Sequence, residues 1–126
     1  MSKGLLEAAR RNRSLTAEEL AQALEQDLRG VEAAAAYLLG SAARGRFVRG
    51  LSDIDILVVT RGPPSWRGRT AHVEAGDVNA VYMSLEEACA AYRRGNNLVR
   101  EALDEGILLA GDQSTVDESR RVAQTT

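Results

Sequence analysis

The segment that decides the fold runs from Gly40 to Val59 and reads GSAARGRFVRGLSDIDILVV. It places a Gly-Ser turn a dozen residues before a serine and two aspartates, Asp53 and Asp55, and it ends in an apolar run. Side chains at positions i and i+2 of a strand share one face and lie about 6.6 Å apart. Two carboxylates at this spacing can hold one or two cations between them.

The aspartate pair also has a purely structural interpretation, in which it binds no metal. Asp53 would then be a loop residue, and Asp55 would be a strand-edge carboxylate that accepts hydrogen bonds from the backbone. However, Asp55 lies between Ile54 and Ile56 inside an apolar run. An unpaired carboxylate is costly there, which favours a paired, hydrogen-bonded or metal-bound Asp55.

Upstream of the pair, Gly40 and Ser41 form a candidate phosphate-binding turn. A glycine lets the backbone approach a ligand closely, and the serine adds a hydroxyl donor. A helix that begins just after them would add free amide groups at its positive end. An ordinary strand-to-helix turn with a serine N-cap contains the same two residues. The combination with the aspartate pair downstream is what favours phosphate binding.

Length and composition predict an ordinary globular domain. The chain has 126 residues, of which 44% are hydrophobic and 27% are charged. This length suggests one domain with a modest core. No apolar run approaches the ~20 residues that span a bilayer. The N-terminus lacks the apolar core of a signal peptide and Cys89 is the single cysteine, so we expect a cytoplasmic protein.

The charge distribution argues against nucleic acid as a direct ligand. The formal net charge is −2, so the chain would not coat nucleic acid by charge alone. Its basic residues are arginines apart from Lys3, and many lie in the segments 10–13 and 44–69. A local arginine patch therefore leaves an RNA-binding accessory domain as a minor alternative.

Hydrophobic periodicity predicts an α+β protein. A capping box of Thr16 and Glu19 opens a helix over residues 17–30, and a second box of Ser84 and Glu87 opens another. A last helix covers residues 96–105. The predicted strands cover residues 33–39, 54–60, 70–74 and 78–83, with the last two joined as a hairpin.

This element order predicts a mixed or antiparallel sheet with helices on one face. From Gly111 onward the sequence is polar and lacks periodicity. We therefore expect a single domain over residues 1–112 and a flexible tail over residues 113–126.

The Gly-Ser followed by Asp-x-Asp resembles the signature of the DNA polymerase beta type nucleotidyltransferase superfamily. The serine before the aspartate pair and the chain length resemble the minimal nucleotidyltransferases, or MNT proteins. These small prokaryotic proteins are often paired with a HEPN-domain partner in toxin–antitoxin modules. The stretch NNLVREALDEGILLAGD, residues 96–112, also looks like the end of that family's domain. The resemblance covers about residues 17–112 and implies the polymerase beta palm-like fold.

The resemblance implies Mg²⁺-dependent transfer of a nucleoside monophosphate, with two ions and ATP or another NTP as substrate. Asp53 and Asp55 would hold the metals, and Ser52 would orient the acidic loop. Arg44 and Arg46 are candidates for balancing the charge of the leaving group. The triphosphate would be held by Gly40 and Ser41.

The sequence departs from the family pattern at the third carboxylate, which opens a neighbouring strand. The matching segment, VNAVYMS, has Asn79 at that position. An amide can ligate a metal but cannot act as a general base. Asp77 lies two residues upstream on the same face, so it is a candidate catalytic substitute.

Two main functional hypotheses follow from the resemblance. The first is an enzyme that transfers AMP, or another nucleoside monophosphate, to a hydroxyl of a HEPN-type partner protein. The second is a catalytically weakened binding module that acts as an antitoxin by contact alone. In either case an edge strand or an apolar helix face is expected to form a homodimer or the complex with the partner.

Overall fold

The structure is a computed structural model that describes residues 2–125. Within these residues the chain forms a five-stranded mixed sheet and six helices, which confirms the predicted α+β class. The strands are β1 (Ala33–Leu39), β2 (Ile54–Thr60), β3 (Gly68–Val73), β4 (Gly76–Ser84) and β5 (Ile107–Gly111). The helices are α1 (Lys3–Arg11), α2 (Ala17–Leu28), α3 (Gly40–Ala43), α4 (Leu85–Arg93), α5 (Asn97–Glu105) and α6 (Gln113–Thr125).

The sheet has the strand order β3-β4-β2-β1-β5, with β2 at its centre. Strands β2 and β4 are parallel, and the other neighbouring pairs are antiparallel. The β-branched and apolar run of β2 suits this position because a central strand is covered on both faces. The predicted hairpin is β3–β4, with Val73 paired to Gly76.

Helices cover both faces of the sheet, so the prediction of helices on one face is wrong. One core cluster joins Ile54, Ile56 and Val58 of β2 to residues of α1 and α2. The other cluster joins Leu57 and Val59 of β2 to residues of α4, α5 and α6. The alternation of side chains along β2 gives each helical layer its own apolar face.

The predicted flexible tail is also wrong, because α6 begins at Gln113. Val116 of this helix is 1% exposed and belongs to the second core cluster. The Tyr37 hydroxyl donates a hydrogen bond of 2.7 Å to Gln113 Oε1, which ties the first turn of α6 to β1. One buried valine in a polar segment was too weak a pattern to predict this helix.

Two of the predicted helix starts have the expected chemistry. The Thr16 hydroxyl accepts from the Glu19 amide at 3.1 Å, and the Glu19 carboxylate accepts from the Thr16 amide at 3.1 Å. Ser84 and Glu87 form the same reciprocal pair at the start of α4. Helix α1 was not predicted; its N-cap is Ser2, which accepts from the Leu5 amide. In the part of the chain described here, no helix is long and apolar enough to cross a membrane.

An aromatic cluster, which we call the Trp66 cluster, lies near the C-terminal ends of β2 and β4. The ring of Trp66 meets the ring of Tyr82 edge-on, with the centroids 5.7 Å apart. The Arg69 guanidinium lies 4.3 Å from the Trp66 centroid and donates to the Tyr82 hydroxyl. Both Arg69 and Tyr82 donate to the carbonyl oxygen of Asp27 at the end of α2.

Asp27 is a buried acid whose titration should control stability. Its side chain is 2% exposed, and among the described residues its Oδ2 has no hydrogen-bond partner. Burial raises the pKa of Asp27 from 3.8 to about 6, although the charge of Arg69 acts in the opposite direction. Between these two values the folded protein keeps a proton that the unfolded chain has lost. The free energy of unfolding should therefore fall by about 3 kcal/mol as the pH rises through this window.

Urea unfolding measured from pH 4 to pH 7 in the native protein and in Asp27→Asn tests this expectation. The substitution has no charge to bury, so its stability should lose this part of the pH dependence. Superimposable pH profiles for the two proteins would contradict the assignment.

Candidate active site

Three strands bring the predicted site residues to one edge of the sheet. Strand β1 runs antiparallel to β2 and ends at Leu39, which is paired with Asp55. Strand β4 runs parallel to β2, so its beginning lies beside the beginning of β2, and Asn79 is in register with Asp55. The turn at Gly40, the aspartate pair and Asn79 therefore meet although up to 39 residues separate them in the chain.

The Asn79 amide bridges the two aspartates. Its Nδ2 donates to Asp53 Oδ2 at 3.0 Å and approaches Asp55 Oδ1 at 3.5 Å. The Thr70 hydroxyl of β3 donates to Asn79 Oδ1 at 3.3 Å. Asn79 therefore lies beside Asp55 on the neighbouring strand, at the position where the family resemblance implies a third carboxylate.

The environment of Asp55 disfavours the charged form of its carboxyl group. Burial raises the pKa of Asp55, and the neighbouring charges of Asp53 and Glu101 raise it further, against the lowering effect of the Asn79 hydrogen bond. Among the ion pairs of residues 2–125, none involves Asp53 or Asp55. Two adjacent carboxylates without a basic partner are suited to a cation.

The donors present fit a hard divalent cation. In residues 2–125 there is no cluster of three or more histidine, cysteine or acidic side chains that could hold a metal ion. The site instead offers the carboxylates of Asp53 and Asp55, with the Asn79 side chain between them. Carboxylate and amide oxygens suit Mg²⁺, which commonly uses only one or two carboxylates together with substrate phosphates. Asp53 and Asp55 are therefore the residues that would hold it.

Gly40 is required at its position because of Asp55. Its φ angle is +72°, in the left-handed region, and a Cβ atom there would lie 2.7 Å from Asp55 Oδ2. Glycine is the residue that allows this approach without strain. The Gly40 amide donates to Glu101 Oε2 at 2.8 Å. The turn continues into α3, which has only four residues.

Ser52 is hydrogen-bonded within the loop that carries the acids. Its hydroxyl accepts from the Val48 amide at 2.9 Å, and its own amide donates to the Val48 carbonyl at 2.8 Å. Arg49 fastens the same loop to α2 through Glu19, with nitrogen–oxygen distances of 3.0 and 2.6 Å. This pairing lowers the pKa of Glu19 to about 2.

The other predicted residues are divided between the site and its surroundings. Ser41 follows Gly40 in the turn, and its carbonyl accepts from the Arg46 amide at 2.8 Å. The Arg44 guanidinium lies beside the turn and pairs with Glu101 at 2.6 Å. Asp77 is paired with His72 on the exposed β3–β4 hairpin, so its described contact is with His72 and not with the aspartate pair.

Sequence reasoning missed two residues of this site, Glu101 and Arg49. Glu101 contacts Gly40 and Arg44 across 61 and 57 residues of chain, and Arg49 contacts Glu19 across 30. In the sequence, Glu101 is an ordinary acidic residue on a predicted helix, and Arg49 is one arginine among several. No local pattern distinguishes either residue, because each contact is created by the tertiary fold.

The mixed sheet with an acid pair at the start of its central strand is consistent with a nucleotidyltransferase fold. Residues 17–108 match the family model of the nucleotidyltransferase domain. The chain belongs to this family, and the match supports nucleotidyl transfer as its general activity. A comparison with curated proteins finds no match.

Proposed function

We propose that this protein is a Mg²⁺-dependent nucleotidyltransferase that transfers AMP from ATP to a hydroxyl group of a partner protein. It would act as the MNT component of a HEPN/MNT toxin–antitoxin pair in the cytoplasm. The observation that carries the proposal is the meeting of Asp53 and Asp55 with the Gly40 turn at one sheet edge. Such a site combines a place for metal with a place for phosphate close to it.

Six residues of the site have a part in the proposed reaction. Asp53 and Asp55 would hold the Mg²⁺, which when bound neutralises phosphate charge and favours in-line attack by a hydroxyl on the α-phosphorus. Ser52 keeps the acidic loop in place. Gly40, Ser41 and Arg44 would bind the triphosphate, because a backbone amide, a hydroxyl and a guanidinium all donate to phosphate oxygens. Pyrophosphate leaves as the new ester forms.

A protein acceptor is supported by the surface next to the acids. Leu51, immediately before Ser52, is 85% exposed, and Val48 in the same loop is 49% exposed. Large apolar side chains with this exposure beside a polar site are suited to contact with another protein. The HEPN identity of the partner rests on the resemblance of the Gly40–Val59 segment to the minimal nucleotidyltransferases.

One observation favours a second candidate function, a binding module that neutralises its partner by contact. Asn79 is neutral and hydrogen-bonded where a third carboxylate is expected. A site with two carboxylates has less charge with which to retain metal. Such a module would have the same fold and the same partner-binding surface but would not catalyse nucleotidyl transfer.

Transfer of label from ATP carrying ³²P at the α-phosphate tests the proposal. The purified protein is incubated with Mg²⁺ and an extract of the source organism, in parallel with Asp53→Asn. We expect a labelled protein band with the native chain and none with the variant, because the variant has one metal-binding carboxylate fewer. A partner that binds both proteins equally without ever becoming labelled would favour the contact-only module.

A further inference from the structure

Glu101 accepts hydrogen bonds from two of the groups that would bind phosphate in the proposed reaction. Its Oε2 accepts from the Gly40 amide at 2.8 Å, and its Oε1 accepts from the Arg44 guanidinium at 2.6 Å. Both oxygens of one carboxylate are therefore engaged by donors of the Gly-Ser turn and its helix. A carboxylate and a phosphate are both anions that bind a guanidinium and backbone amides, so Glu101 imitates a phosphate here.

The fold holds Glu101 in this position. It belongs to α5, whose start is capped by Asn96 through a 3.1 Å hydrogen bond from the Val99 amide. The next residue, Ala102, is fully buried in the core cluster that covers this face of the sheet. The side chain of Glu101 itself is 27% exposed, so it can rotate into solvent while the helix stays in place.

The same carboxylate adds to a concentration of negative charge. Glu101 acts electrostatically on Asp55, which already lies beside Asp53. A triphosphate that reaches Gly40 and Arg44 would meet the charge of Glu101 at the same atoms. The Gly40 amide has a single N–H, so Glu101 must leave it before a phosphate oxygen can accept from it, and the two anions repel each other beside Arg44.

We infer that Glu101 is an internal competitor of the nucleotide's phosphate groups, which must be displaced from Gly40 and Arg44 before the triphosphate binds. This inference rests on the proposed function. It makes Glu101 a residue that sets nucleotide affinity and keeps the phosphate-binding donors, the Gly40 amide and the Arg44 guanidinium, paired when no nucleotide is present. When a site is closed in this way, the apparent association constant equals the association constant of the open site multiplied by the fraction of molecules that are open.

Calorimetric titration with MgATP into the native protein, Glu101→Ala and Glu25→Ala tests the inference. Glu25→Ala is the matched control, because it removes an exposed carboxylate from α2 on the other face of the sheet. Glu101→Ala should bind MgATP about tenfold more tightly than the native protein, which is the factor expected if Glu101 closes the site in ~90% of molecules. The control should bind like the native protein.

A second variant and a second probe separate the competition from other effects. Glu101→Gln keeps an acceptor for the Gly40 amide but loses the negative charge that faces Arg44, so its affinity should lie between those of the native protein and Glu101→Ala. Inorganic tripolyphosphate, followed through the ¹⁵N–¹H cross-peak of Gly40, should shift that peak at lower concentration in Glu101→Ala. An unchanged or weakened affinity in Glu101→Ala, with MgATP still bound by the native protein, overturns the inference and leaves the proposed function standing. If none of the proteins binds MgATP, the proposed function fails and the inference fails with it.

Discussion

Asp55→Asn should abolish nucleotidyl transfer and yet raise the melting temperature of the protein. The loss of a metal-binding carboxylate removes several kcal/mol of transition-state stabilisation, so we expect the rate of label transfer to fall by about 10³-fold or more. The gain in stability has a separate cause. Burial and the neighbouring acids raise the pKa of Asp55, so folding is penalised above the pKa of the unfolded aspartate. The amide of asparagine carries no charge and avoids that penalty.

The opposite signs of the two effects make this experiment specific. Transfer is measured with α-labelled ATP, and the melting temperature is measured by calorimetry without metal at pH 8 and again at pH 4. The stabilisation should be present at pH 8 and shrink at pH 4, because pH 4 is close to the pKa of the unfolded aspartate and most of the penalty for the charged form has gone there. Asp77→Asn is the matched control, because Asp77 pairs with His72 at the hairpin. This substitution should reduce the rate of transfer by less than about threefold. A loss of transfer in Asp77→Asn as large as that in Asp55→Asn would mean that Asp77 does replace the missing third carboxylate.

Gly111→Ala should destabilise the protein more than any other glycine-to-alanine change at a strand end. Gly111 closes β5 with a φ angle of +89°, and a Cβ atom there would lie 2.2 Å from the carbonyl oxygen of Ala34. That oxygen belongs to the backbone of β1 and accepts from the Asp112 amide at 2.9 Å, so it cannot move aside cheaply. We expect a loss of about 3–4 kcal/mol in the free energy of unfolding.

Gly30→Ala is the matched comparison for this prediction. Gly30 has a similar φ angle of +73°, but a Cβ atom there would meet nothing within 4 Å. It should therefore show the cost of the left-handed backbone alone, about 1 kcal/mol. Urea unfolding followed by far-ultraviolet circular dichroism gives both values. Equal losses in the two variants would show that the contact with Ala34 contributes nothing.

Local chemistry made much of the fold predictable. The run after Asp55 has the composition of a central strand, and the two capping boxes fixed the starts of α2 and α4. These features depend on residues within about four positions of one another, which is the range over which sequence patterns act. The site followed from the same logic, because the aspartate spacing and the Gly-Ser turn are both local.

The errors came from features that depend on tertiary packing. Helix α6 is stabilised by the burial of Val116 and by the bond from Tyr37, which lies 76 residues away from Gln113. The helices on the second face of the sheet were missed because their position depends on the direction in which chain segments leave the sheet. The apolar pattern of β2 does not specify whether helices cover one face or both. Glu101 and Arg49 reach the site from distant segments, so their roles required the folded structure.

The Trp66 cluster determines what intrinsic emission spectroscopy can observe in this protein. Trp66 is the single tryptophan, and its ring is in contact with Arg69 and Tyr82. Tyr82 lies three residues beyond Asn79 on β4, about 10 Å along the strand, and its side chain is on the opposite face of the sheet. The indole fluorescence will therefore follow unfolding of the α2–β3–β4 packing and remain insensitive to an ion or nucleotide at the aspartates. An optical titration of the site needs a fluorophore on the nucleotide itself.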